Sequence, residues 1–141
     1  MTSKNPALQK FAQIVFKTAL YSALVNVLLF ISLQQLGVIH AAIFMQADPT
    51  HPLVAVILSS VLPTLVGGIF CWLLVKYLKN GLTIFSVSVM LLGFLSFAAP
   101  FSLPGIPIGM ALALNLMHVV VMYNMLFFYR RAVKKTVVFG L

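Results

Sequence analysis

The sequence predicts an all-α protein, a four-helix transmembrane bundle with antiparallel neighbours. Three observations carry that expectation. Of 141 residues, 62% are hydrophobic and only 7% charged, whereas a soluble domain carries about a quarter of its residues charged. With a mean hydropathy of +1.13, the chain cannot cover its surface with polar groups, so its solvent is lipid. The apolar residues fall into four runs, at about 11–36, 53–75, 82–98 and 106–129. At ~1.5 Å of helix rise per residue three of these reach across a ~30 Å hydrocarbon core, and the third is on the short side. The basic residues all flank these runs: Lys4, Lys10 and Lys17, then Lys76 and Lys79, then Arg130, Arg131, Lys134 and Lys135. The length suits a single membrane domain, 1–141, with no separate soluble one.

A net charge of +8 would point to nucleic acid in a soluble protein. Here each basic cluster borders an apolar run, which is the pattern of the positive-inside rule. The expectation is a multi-pass protein of the cell inner membrane with both termini and the middle connection cytoplasmic. Its partners are then the lipid bilayer and anionic headgroups at the cytoplasmic face, with no nucleic acid. The single cysteine, Cys71, lies inside an apolar run. It excludes an intrachain disulfide or dithiol chemistry and reads as a small packing residue.

Taken in order, the chain opens with a short polar arm in which Thr2 or Ser3 caps a helix with Pro6 at an early position. The first run is interrupted by Lys17, whose long stem lets its ammonium snorkel to the interface. It is too long for the ~7–15-residue apolar core of a signal peptide. Residues 37–52 form the first outer loop, with His40, Asp48 (the only acid in the chain), His51, Pro49 and Pro52. The apolar stretch 41–45 within it is placed along the interface. His40, Asp48 and His51 match no metal-ligand spacing, so no metal is expected. The second run has Pro63 near its centre and Gly67-Gly68 after it, and predicts a kinked helix. Ser60, Thr64, Gly67 and Cys71 share one face, a small-residue stripe suited to close helix packing. Trp72 and Tyr77 mark an inner aromatic belt. Lys76 to Gly81 is a tight inner turn. Residues 99–107, with three prolines, are expected to be a stiff non-helical outer loop. The fourth run ends in Tyr123, Phe127, Phe128 and Tyr129 before the strongest basic cluster.

Polar residues at depth are the only candidates for chemistry. On the fourth helix Ala111, Asn115, His118, Met122 and Tyr129 lie on one stripe, with Asn124 on another side. Asn115 and His118 cost roughly 1–3 kcal/mol each in hydrocarbon unless paired, so they should face the bundle. Asn26 on the first helix lies at a similar depth and is the expected partner, with Thr64 and the carbonyl freed by Pro63 nearby. Asn26, Thr64, Asn115 and His118 therefore read either as interhelical hydrogen-bond glue or as the walls of a central polar pocket. Haem ligation by His118 would need a second facing histidine, available only from another subunit, so no cofactor is expected.

Certain stretches resemble a family of small bacterial four-helix membrane proteins of unknown function. They are an Asn-bearing first helix ending in Leu36-Gly37-Val38, a His51-Pro52 start and Gly-rich centre ending in Trp72, the run Leu95-Ser96-Phe97-Ala98-Ala99-Pro100, and Leu112-Ala113-Leu114-Asn115-Leu116-Met117-His118-Val119-Val120. The chain departs from that pattern in its lysine-rich middle connection and its Tyr- and Phe-rich fourth helix. The resemblance implies the fold and a bacterial inner-membrane location, and no activity.

For function, the leading expectation is a non-enzymatic structural, accessory or partner-binding bundle. The alternative is a small transporter, acting as a homo-oligomer, or a ligand-binding protein that uses His118, histidine being the side chain that titrates nearest neutrality. Proton-coupled exporters of this size rely on a buried carboxylate, and no Asp or Glu lies in any run. An enzyme is not expected, because hydrolytic or phosphoryl chemistry needs a carboxylate, a nucleophile–base pair or a metal cluster. The orientation is testable directly: a C-terminal reporter active only in the periplasm should stay silent, and periplasmic activity would overturn the charge argument.

Overall fold

The computed structural model describes residues 6–40, 51–102 and 104–138. Their helices are α1 (Pro6–Gln35), α2 (Pro52–Tyr77), α3 (Gly81–Ser96), the single turn α4 (Ala98–Phe101) and α5 (Ile108–Val138). Counting α3 and α4 as one span, Gly81–Phe101, four helices among the described residues are long and apolar enough to cross a membrane. The expected all-α bundle is observed, and the chain is built as a multi-pass membrane protein.

The helix ends follow from local sequence. Gly37 takes φ +71°, the left-handed conformation glycine adopts without strain. Its amide donates to the Gln34 carbonyl (3.0 Å), and the Val38 amide donates to the Leu33 carbonyl (2.9 Å). This pair of bonds is the Schellman stop that satisfies the last carbonyls of α1. Helix α2 starts at Pro52, where a missing N–H costs nothing, with His51 as its N-cap residue. The turn into α3 is tight: a Cβ on Gly81 would strike the backbone of Leu74.

Two boundaries differ from the sequence expectation. Residues 98–101 are a helical turn that includes Pro100, not loop. Proline is tolerated there because the first-turn amides have no intrahelical acceptor. Helix α5 runs on through the basic cluster because Tyr129, Ala132 and Val133 keep one apolar face, which packs with Phe11 and Cys71 in one buried cluster. The Thr2 or Ser3 cap, the 41–45 stretch and Asp48 lie outside the described residues.

Neighbours in sequence run antiparallel. Helix α1 meets α2 through Val15 at Gly68 and Asn26 at Ser60. It meets α5 through Phe11 at Tyr129 (ring centroids 5.9 Å) and Ser22 at Asn124. Helix α3 meets α5 through Phe85 at Tyr129 (5.9 Å). This topology carries every described Lys and Arg toward one end of the bundle. There the Lys76 ammonium sits over the rings of Trp72 (4.7 Å) and Tyr77 (5.0 Å), and the Arg131 guanidinium over Phe127 (4.2 Å). Such stacking lets a cation share the interfacial aromatic belt. Elsewhere the outward faces are apolar, with Phe16, Leu24, Val66, Ile69, Leu91 and Phe94 exposed, as hydrocarbon solvent requires.

The α1–α2 crossing depends on the absence of a side chain at Gly68. A Cβ there would lie 2.5 Å and 2.6 Å from the two Val15 methyls, inside van der Waals contact. At Gly109, by contrast, the nearest atom would be a Val38 methyl at 3.9 Å. Gly68→Ala is therefore expected to destabilise the bundle by about 1–3 kcal/mol. Gly109→Ala should stay within about 0.5–1 kcal/mol of the parent or stabilise it slightly. Unfolding titrations in mixed detergent micelles check the contrast.

Candidate functional site

Helix α2 contains Pro63. With no amide hydrogen at that position, the Ser59 carbonyl lacks its regular helical donor. On this stretch of α2, facing α3 and α5, lies a cavity of about 600 Å³. Asn26 reaches it from α1, and His118 lines it from α5. Its walls extend from Phe70 and Phe85 to Ser59 and Ser96, about eleven residues along either helix, or about 16 Å. Ser59, Pro63, Val66 and Leu92 among the lining residues are exposed, so the cavity opens sideways between α2 and α3. Toward the basic end the bundle interior is packed, although Phe70 itself is partly exposed. Phe70 rests on Phe85 (6.4 Å between centroids), and the buried cluster of Phe11, Cys71, Phe85 and Tyr129 fills the bundle toward the basic end.

Asn26 is 2% exposed. Its Nδ2 donates to Ser60 Oγ (2.9 Å) and to the Met117 carbonyl (3.2 Å). A carbonyl only accepts, so the orientation of the amide is fixed by that second bond. Its Oδ1 is buried without a hydrogen-bond partner among the described residues. His118 is half-buried, and its Nδ1 lies 2.9 Å from the Leu114 carbonyl of its own helix. Since that oxygen cannot donate, Nδ1 carries the hydrogen, and in the singly protonated ring Nε2 is then the acceptor.

Thr64 and Asn115 are not in the cavity lining. The Thr64 hydroxyl donates to the Ser60 carbonyl (2.7 Å), and the Thr64 carbonyl accepts from the Tyr129 hydroxyl (2.6 Å). Asn115 Nδ2 donates to the Phe97 carbonyl (3.2 Å), at the joint between α3 and α4, and its Oδ1 is buried with no partner among the described residues. The expected pairing of Asn26 with Asn115 is therefore corrected. The two match in depth but not in azimuth: Asn26 comes to α5 from the α1 side, while Asn115 faces α3. Sequence reasoning also missed the bond from Asn124 Nδ2 to Ser22 Oγ (3.1 Å). The signal was partial, since Ser22 lies one turn from Asn26 but Asn124 lies half a turn out of phase with Asn115, off the stripe that carries His118. The cavity serines Ser59 and Ser88 carried no such signal.

Among the described residues, no three His, Cys, Asp or Glu side chains come together as a metal site. Asp48 is not described, so the His40, Asp48 and His51 grouping falls outside the described residues.

The model titled "Family of unknown function (DUF6069)" matches residues 7–135. The chain belongs to that family. The match spans all four long helices and every cavity residue, and meets the expectation of a family without assigned function. No curated protein and no solved structure matches the chain.

The hydrogen bonds separate two roles among these polar residues. Asn26 joins three helices, whereas His118 bonds only within α5. Asn26→Leu should lower stability by roughly 1–2 kcal/mol. His118→Leu should change it by less than about 0.5 kcal/mol. Equal losses in a detergent unfolding titration would contradict this division.

Proposed function

We propose that this protein is a non-enzymatic bundle of the bacterial inner membrane that binds a largely apolar, membrane-soluble molecule in the cavity between α2, α3 and α5. The observation that carries the reading is the cavity itself: about 600 Å³, within the range of small-molecule sites, and open at the side, where a ligand dissolved in lipid arrives. Its lining is mostly apolar, with a few convergent polar groups, as ligand pockets generally are. The packed aromatic cluster toward the basic end favours a binding site over a pore through the single chain. No carboxylate stands among the lining residues, and His118 bonds to the Leu114 carbonyl rather than to a cavity serine, which supports a non-catalytic role. The basic end suits anionic headgroups at the cytoplasmic face.

Ser88 lines the cavity from α3 and is half-buried, so a larger side chain there fills the cavity while leaving the helix crossings intact. Native mass spectrometry of protein released from its own membrane should find a reproducible small molecule on the parent and its loss in Ser88→Phe. A parent chain that carries nothing specific would sink the reading.

A further inference from the structure

The hydrogens of the cavity's polar groups are nearly all committed to the protein. Both Asn26 amide hydrogens go to Ser60 and Met117, and the His118 Nδ1 hydrogen goes to Leu114. The Ser59 hydroxyl donates to the Val56 carbonyl (3.1 Å) and the Ser96 hydroxyl to the Gly93 carbonyl (2.7 Å). What remains is a set of acceptors: His118 Nε2, the hydroxyl oxygens of Ser59 and Ser96, and the unpartnered Asn26 Oδ1. The Ser88 hydroxyl, a free rotor, either donates or accepts and does not discriminate.

We infer that the cavity selects a neutral long-chain molecule bearing a hydrogen-bond donor, a lipid-soluble alcohol or phenol. This rests on the ligand-binding reading above and adds the chemistry of the ligand's polar end. An ether, ketone or ester sets its own acceptor against the protein's acceptors. A carboxylate or phosphate meets neither a lysine nor an arginine among the lining residues, and an ammonium meets no acid; an unpaired charge at this depth is costly. A hydrocarbon leaves the acceptors unsatisfied. The hydroxyl hydrogen of an alcohol reaches His118 Nε2 while its chain lies along the roughly 16 Å of apolar wall. Asn26 Oδ1 has no open surface, so a donor reaches it only as the side chains around it give way.

The test uses the full chain in phosphatidylcholine nanodiscs, with isotope-labelled methionine methyls read by NMR. Met117, Met122 and Met125 all line the cavity and report occupancy. Dodecanol, dodecylphenol, dodecyl methyl ether, dodecanal, dodecanoate and dodecane are titrated by mole fraction in the bilayer. The alcohol, the phenol or both should saturate the methyl shifts at a mole fraction at least about tenfold below the ether and aldehyde. Which of the two binds better separates an aliphatic from an aromatic source. His118→Phe, which removes Nε2 and disturbs only an intrahelical bond, should narrow the gap. Equal saturation by alcohol, ether and dodecane would overturn donor selection and leave the ligand-binding reading standing. Preference for the aldehyde or the carboxylate would overturn it as well. No shift with any probe would take down the ligand-binding reading itself.

Discussion

In hydrocarbon there is no water to satisfy a polar group, and that constraint organises this bundle. Most side-chain hydroxyls solve it within their own helix. Thr18 donates to the Ile14 carbonyl, Ser60 to Val56, Thr64 to Ser60 and Ser86 to Leu82, all at 2.7–2.8 Å. These bonds make a polar residue tolerable at depth but hold no two helices together. Only side chains long enough to leave their own helix can do that. Asn26, Asn115, Asn124 and Tyr129 bridge helices in this way, three of the four projecting from α5. Helix α5 is thus the member against which the others are fixed, and close glycine contacts such as Gly68 against Val15 complete the assembly.

The helices and their order were legible in the sequence because each depends on local information. Apolar run length, Gly37, the His51-Pro52 start and the Lys76–Gly81 turn act within a few residues. The two boundary errors arose where a local rule met a wider context. Pro100 was read as a breaker, yet it falls in the first turn of α4, where a proline costs nothing. The basic cluster was read as an end, yet Ala132 and Val133 hold the helix together beyond it. Helical periodicity found the inward face of α5 but not the partners, because partnership depends on the rotation of each helix about its own axis. Asn26 and Asn115 share a depth, and their bonds lead to different helices.

The cavity was not legible for the same reason. It arises from how α2 and α3 sit against α5, and no single helix encodes that. Pro63 was visible as a kink. Beside that kink lies the cavity, which emerges only once Ser59 and Pro63 are seen to face the same space as α3 and α5. The chemical character of the site has a similar origin. Serine, asparagine and histidine can all donate, and the sequence does not say where their hydrogens go. The folded chain turns nearly every one back onto backbone or a neighbour, leaving the lone pairs toward the cavity.

The wall of that cavity combines stiff and compliant parts. The thioether tails of Met125 and Met122 fill the notches left by Gly67 and Gly93, and both side chains also face the cavity. A methionine tail swings between rotamers at little cost, so the volume can adjust with no helix moving. Asn26, Ser59, Ser96 and His118 have no such freedom, being tied to backbone carbonyls. A molecule's girth is therefore weakly policed here, while the handedness of its hydrogen bonding is held to a fixed template. Oxidation of either thioether would plant a polar oxygen in a glycine notch and stiffen the part of the wall that now yields.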